Sequence, residues 1–328
     1  MNGSDPTDPC SVSGTATIPD VSDANYAVWA AADCDGDGET NGEEVMNGTE
    51  PFDPCSVTNP TIPAPTDENY AVWAAADCDG DGDSNGTDPA PNDPCVFTAG
   101  SVADTSNPIW QAADCDGDGD SNGTDPDPAD PCVFTAGSTA DTSNAIWAAA
   151  DCDGDGDSNG TDPDPADPCV FTAGSTADTS NPIWQAADCD GDGETNGTED
   201  MNGSDPTDPC SVSGTATIPD VSDANYAVWA AADCDGDGET NGEEVMNGTE
   251  PFDPCSVTNP TIPAPTDENY AVWAAADCDG DGDSNGTDPA PNDPCVFTAG
   301  SVADTSNPIW QAADCDGDGD SNGTDPDP

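Results

Sequence analysis

Apolar residues along this chain come in short bursts separated by long polar stretches. The longest burst, residues 26–32 (Tyr-Ala-Val-Trp-Ala-Ala-Ala), has seven residues, too few to cross a membrane. Each burst reads as about two helical turns. Around Trp110 the signals are Asn107 as N-cap and Pro108 at the first helical position. In the longer bursts Ser22 or Asp23 is the expected cap, and the helix is expected to run into Asp33. Cys95-Val96-Phe97-Thr98 predicts a brief strand. After each burst the pattern stops. Asp88-Pro89-Ala90-Pro91 and Asp125-Pro126-Asp127-Pro128 forbid a second helix, so stiff, extended linkers are expected there.

The bursts recur, and the recurrence organises the chain. Each repeat reads Asp-Pro-Cys, a Thr/Ser-rich stretch, one Trp, Ala-Asp-Cys and an acidic loop. The tryptophans are Trp29, Trp73, Trp110, Trp147, Trp184, Trp229, Trp273 and Trp310, and the loop cysteines are Cys34, Cys78, Cys115, Cys152, Cys189, Cys234, Cys278 and Cys315. Residues 201–328 repeat residues 1–128 without a difference, so the short repeat sits inside a longer one of 200 residues. The expected divisions are 1–50, 51–90, 91–127, 128–164, 165–205, 206–250, 251–290 and 291–328. The segment Met1-Asn2-Gly3-Ser4-Asp5-Pro6 recurs at 201–206, which suggests a stretch of a longer polymer.

Composition sharpens this picture. The 328 residues include 70 acidic side chains and no Lys, Arg or His, for a formal net charge of −70. A compact state with that charge repels itself. One divalent ion per loop would offset only about 16 of those charges. Nothing in the chain can neutralise phosphates, which excludes nucleic acid and an anionic membrane surface as partners. Sixteen cysteines in regular pairs point to an oxidising, extracellular setting. Their spacing does not suit a zinc site.

Two pairings are open. Cysteines can pair within repeats, as Cys10–Cys34, Cys55–Cys78, Cys95–Cys115, Cys132–Cys152, Cys169–Cys189, Cys210–Cys234, Cys255–Cys278 and Cys295–Cys315. Alternatively, Cys34 pairs with Cys55 across the acidic loop, and so on along the chain. The first closes the Trp segment and leaves no cysteine over, so it is the expected one. Each such bridge contributes roughly 3 kcal/mol in the chain-entropy picture. A repeat of this size cannot build a core of its own and needs such staples. The Trp is expected to pack on its disulfide and on the neighbouring repeat.

The acidic loops carry the candidate chemistry. The first places Asp33, Asp35, Asp37, Glu39, Asn41 and Glu44 at positions 1, 3, 5, 7, 9 and 12, with Gly38 at position 6. That is the oxygen pattern of an EF-hand-type calcium loop, with position 7 ligating through its backbone carbonyl. The second loop has Asp77, Asp79, Asp81, Asp83, Asn85 and Asp88, and the third has Asp114, Asp116, Asp118, Asp120, Asn122 and Asp125. The fourth has Asp151, Asp153, Asp155, Asp157, Asn159 and Asp162, and the fifth Asp188, Asp190, Asp192, Glu194, Asn196 and Glu199. The sixth has Asp233, Asp235, Asp237, Glu239, Asn241 and Glu244. The seventh has Asp277, Asp279, Asp281, Asp283, Asn285 and Asp288, and the eighth Asp314, Asp316, Asp318, Asp320, Asn322 and Asp325. Eight copies of one pattern make calcium the expected cofactor.

These loops, followed by Gly-Thr-Asp-Pro or Gly-Thr-Glu-Pro and Asp-Pro-Cys, resemble thrombospondin type 3 repeats in the form found in bacterial surface proteins. The resemblance covers all eight loops and little of the stretches from Asp-Pro-Cys to Trp. It implies a chain wound around calcium ions, often two per repeat, with little regular secondary structure and disulfides between segments. Carried over, Asp114, Asp116, Asp118, the backbone of Asp120, Asn122 and Asp125 would form one site, with Asp127 or Asp130 helping to hold a second ion. Position 12 departs from the pattern. It is Glu only at Glu44, Glu199 and Glu244, and the shorter Asp elsewhere, as at Asp88, would bind through one oxygen.

The expected fold is therefore an irregular, calcium- and disulfide-stabilised tandem repeat, an extended rod or filament with short helical turns and little strand. The leading functional expectation is a structural protein of an extracellular, bacterial-surface filament or stalk, self-associating or covalently continuous. The alternatives are an adhesin stalk carrying a separate head, and an acidic calcium sink or mineral nucleator. Catalysis is disfavoured, because there is no Lys, Arg or His and no pocket-forming domain. Asn-Gly-Thr/Ser matches the N-glycosylation pattern at Asn2, Asn47, Asn202 and Asn247, and at the position-9 asparagines Asn85, Asn122, Asn159, Asn196, Asn285 and Asn322. For the position-9 group the loop role is the expected one. The Thr/Ser-rich span 98–106 could carry O-linked sugar.

Overall fold

A computed structural model of the chain describes residue 5 and residues 7–11, 16–214, 216–326 and 328; Asn2 lies outside the described residues. Among these the regular elements are short helices: α1 (Tyr26–Ala30), α2 (Asn41–Asn47), α3 (Tyr70–Ala75), α4 (Pro108–Ala112), α5 (Ala145–Ala149), α6 (Pro182–Ala186), α7 (Asn196–Asn202), α8 (Tyr226–Ala231), α9 (Asn241–Asn247), α10 (Tyr270–Ala275) and α11 (Pro308–Ala312). No strand occurs among the described residues. The strand expected at 95–98 does not form. Val96 N–H closes a turn on Asp93, and Thr98 N–H donates to the Asp83 carboxylate, so these donors are spent.

The Trp helices follow two patterns. In α4 the Asn107 side chain accepts from Ile109 and Trp110 N–H, with Pro108 leading, as the sequence predicts. The cap expected at Ser22 or Asp23 is absent. The Ser22 hydroxyl and N–H both bond Asp20, and α1 starts only at Tyr26 and ends at Ala30.

The loop exits also differ from a uniform picture. Loops ending in Glu44, Glu199 and Glu244 leave through helices α2, α7 and α9. In α2 the Thr40 hydroxyl accepts from Glu43 N–H, the Glu43 carboxylate accepts from Thr40 N–H, and Gly48 ends the helix in the left-handed conformation. Where Asp-Pro stands at the exit, a single turn forms instead: Asp88 N–H donates to the Ser84 carbonyl, and Pro89 stops it.

All eight disulfides form within repeats, closing 20 to 24 residues with Cα atoms 5.1–5.2 Å apart. The Cys34–Cys55 alternative is thereby excluded. Seven of the tryptophans are buried. The Trp29 ring lies 5.7 Å from Tyr26 and 6.4 Å from Phe52 of the next repeat. Most other buried side chains are Asp, Glu and Asn, so the interior is lined largely by oxygen. The chain divides into two compact units, Met1–Cys152 with Ser158–Gly160, and Asp153–Asp157 with Thr161–Pro328. No helix of the described residues is long and apolar enough to cross a membrane.

Candidate metal site

The loop shape is built by position 1. Asp33 Oδ1 accepts from Gly36 N–H (2.7 Å) and Oδ2 from Gly38 N–H (3.1 Å), drawing the turn around the carboxylate. Gly36 and Gly38 sit at φ +78° and +97°, where a side chain would be strained. Asp37 Oδ1 then accepts from Glu39 N–H (2.8 Å). The second loop repeats this at Asp77, Gly80, Gly82 and Asp81.

The folded loop gathers its acids. Carboxylate oxygens of Asp33, Asp35 and Asp37 lie within 4.8 Å of one another, as do those of Asp77, Asp79 and Asp81, of Asp114, Asp116 and Asp118, and of Asp81, Asp83 and Asp88. These clusters are close enough to hold a metal ion.

Burial turns proximity into a demand. Asp35, Asp37 and Glu44 are 1%, 2% and 0% exposed. Both carboxylate oxygens of Asp35 and Glu44, and Oδ2 of Asp37, have no hydrogen-bond partner. The same holds for both oxygens of Glu199 and Glu244, and for Oδ2 of Asp79, Asp81, Asp116, Asp118, Asp190, Asp192, Asp235, Asp237, Asp279 and Asp281. A buried, unpaired carboxylate costs several kcal/mol. Burial pushes Asp35 up to about 7, Asp37 to about 6 and Glu44 to about 8, with the like charges around them adding to the effect. Glu199 and Glu244 rise to about 8 and about 9 for the same reasons. A cation relieves both problems at once, and an oxygen-only donor set suits a hard one.

The position-9 asparagine has a framing part. Asn41 Oδ1 accepts from Cys34 N–H (3.2 Å), and its Nδ2 donates to the Trp29 carbonyl (2.8 Å) and to Cys34 Sγ (3.1 Å). Asn85, Asn122, Asn159, Asn241, Asn285 and Asn322 make the same three bonds. Asn196 accepts from Cys189 N–H and donates to its sulfur. The carboxamide thus ties loop, disulfide and Trp helix together.

Position 7 also does something a loop pattern does not reveal. Its side chain points to the next repeat: Glu39 accepts from Thr58 N–H, Asp83 from Thr98 N–H, and Glu194 from Ser213 N–H. That following repeat is what buries the site. Residues 114–125 and 314–325 are identical in sequence, and both keep the turn at position 1. Asp116 and Asp118 are 1% and 2% exposed, with the fourth repeat over them, whereas Asp316 and Asp318 are exposed. A Cβ on Gly119 would stand 2.2 Å from the Thr139 carbonyl oxygen; on Gly319 it would meet nothing within 4 Å. Loop shape is local, but burial of the acids belongs to the junction.

Comparison of the chain with family models, curated proteins and solved structures finds no match.

Proposed function

We propose that this is a structural protein whose repeats are held in line by calcium, forming an extracellular filament or stalk. The observation that carries the reading is the pair of orphaned oxygens on each fully buried loop glutamate, Glu44, Glu199 and Glu244. Two free oxygens from one carboxylate, added to the aspartates at positions 3 and 5, suit the high coordination number of calcium. Magnesium keeps several waters and a tighter octahedron. Because the next repeat covers each loop that has one after it, the ion that fills the loop also removes the repulsion opposing that contact. The loop pattern and Asp-Pro-Cys spacing support kinship with thrombospondin type 3 repeats. Eight disulfides suit an oxidising compartment outside the cell.

The test is removal of the ion. In excess chelator the far-ultraviolet circular dichroism of the short helices should collapse and the radius of gyration should rise, both recovering on addition of calcium but not of magnesium. An unchanged radius overturns the reading.

A further inference from the structure

Position 7 of each loop and the repeat that follows it come in two matched classes. Loops with Glu at position 7 (Glu39, Glu194, Glu239) precede repeats whose helix begins Tyr-Ala-Val-Trp, and loops with Asp there (Asp83, Asp120, Asp157, Asp283) precede repeats with Ile-Trp after Asn-Pro or Asn-Ala. All seven loops that have a repeat after them obey this rule.

The contacts explain the match. In the Asp class the carboxylate accepts from a threonine N–H 15 residues on, as Asp83 does from Thr98 (2.6 Å) and Asp120 from Thr135 (2.5 Å), and a serine hydroxyl 18 residues on completes the clasp. Here the next repeat presses on the loop. A Cβ on Gly82 would lie 2.3 Å from the Val102 carbonyl oxygen, and Asp104 N–H donates to the Gly80 carbonyl. In the Glu class the partner stands 19 residues on, as Ser213 N–H to Glu194 (2.8 Å) and Thr258 N–H to Glu239 (3.3 Å). The next repeat stands farther off at this point: the nearest atom to a Cβ on Gly38 is Thr61 Oγ1 at 3.5 Å, and on Gly193 it is Pro219 Cβ at 3.8 Å. The extra opening is close to one carbon–carbon bond, about 1.5 Å, which is what Glu adds over Asp.

We infer that the position-7 side chain selects which class of repeat docks on its loop, Asp admitting the Ile-Trp class, which comes close at the position-6 glycine, and Glu the Tyr-Ala-Val-Trp class, which stands off there. The partner surface is thus a Thr/Ser-bearing turn of the following repeat, read by the length of one carboxylate. In a chain whose loops are otherwise nearly interchangeable, this would keep each loop from seating the wrong repeat. The inference rests on the proposed structural role, since docking matters only if junctions hold the protein together.

Three full-length variants test it by amide hydrogen exchange in calcium: Asp283→Glu, Glu239→Asp and Asp320→Glu. Each keeps its charge and its backbone carbonyl. A hydrogen bond to a charged group is worth enough that losing it should speed exchange at Thr298 in D283E, and at Thr258 in E239D, by about tenfold or more. D320E, whose loop has no repeat over it in this chain, reads the effect of the swap alone, and the losses at Thr298 and Thr258 count only in excess of it. Wild-type protection at Thr298 and Thr258 in the first two variants overturns the inference. Calcium titration of the wild type separates the two readings. If calcium binds but the variants stay protected, only the selection rule fails; if no calcium binds, the proposed function fails whatever the exchange data show.

Discussion

Asn25 and Asn225 occupy the same place in identical sequence, yet their backbones differ. Asn225 stands at φ +62°, its Nδ2 donating to the Asp188 carbonyl (2.9 Å) of the loop seated before it; Asn25, with no loop before it in this chain, stands at φ −108°. Asn69 and Asn269, each with a loop seated, are left-handed as well, at φ +55° and +51°. Docking of a loop therefore goes with a backbone flip that asparagine tolerates better than most residues.

From this follows a cost for Asn269→Ala. Alanine loses the bond to the Asp233 carbonyl and resists the left-handed region, for about 2 kcal/mol together. Asn269→Gly should recover roughly half, since glycine removes the conformational part. Thermal melts in calcium check both. Equal losses for the two variants would assign the whole effect to the hydrogen bond.

The close approach of repeats predicts a contrast between two glycines. Gly82 and Gly100 both have positive φ, +94° and +103°, but a Cβ on Gly82 would strike the Val102 backbone, whereas on Gly100 it would meet nothing within 4 Å. Gly100→Ala should cost about 1 kcal/mol, the backbone strain alone. Gly82→Ala should open the junction and cost several times more. Denaturant titration in calcium ranks them.

The pH dependence of the metal-free protein should run against that of the calcium form. Glu44, Glu199 and Glu244 sit well above the ordinary glutamate value of 4.5, at about 8 to 9. Between those limits the unfolded chain loses its proton first, so the folded state holds more protons and stability falls as pH rises. Without calcium, the melting temperature should be highest near pH 4 and decline towards pH 8. The stabilisation added by calcium should grow across the same window, because the ion competes with those protons. Melting curves at four pH values, with and without calcium, read both slopes.

Glu244→Gln separates the two roles of that residue. Removing its charge should stabilise the metal-free fold, because one unpaired buried carboxylate is gone. It should also weaken calcium binding at that loop by about tenfold or more, a change of 1.4 kcal/mol or more. Calorimetric titration and a metal-free melt give the pair of signs. A loss of stability in the metal-free form would contradict the orphaned-acid account.

Much of this was legible in sequence because it is local. The Asp-x-Asp-x-Asp-Gly spacing places three carboxylates around one turn, Asn107-Pro108 starts a helix, and pairing cysteines across the Trp segment leaves none over. The exit helices were legible too, in the Thr40-x-x-Glu43 capping box and Gly48, though the Asp-Pro linkers suggested otherwise. What sequence could not give were bonds across distance. The bond from the Asn41 carboxamide to the Trp29 carbonyl, 12 residues upstream, leaves no mark in the loop pattern. The clasp between Glu39 and Thr58 spans 19 residues and two repeats. The expected strand at 95–98 failed for the same reason, its donors being claimed by Asp93 and Asp83.

The framing of the loop asparagines also bears on chemical ageing. Asn-Gly is the sequence in which a glycine amide nitrogen most readily attacks the preceding carboxamide, turning asparagine into aspartate or isoaspartate through a cyclic imide. Every loop of this chain contains that pair. In the second loop the Asn85 carboxamide is held at both ends and the Gly86 N–H is bonded to the Ala74 carbonyl at 3.0 Å, so neither partner is free to react. The same closure recurs at Asn122-Gly123 and Asn285-Gly286. Asn47, Asn202 and Asn247, also followed by glycine, end α2, α7 and α9; the glycine N–H is bonded there too, and what sets these three apart is an exposed asparagine. A protein exposed for long periods without replacement would thus wear first at those three helix ends, while its acidic turns kept their chemistry.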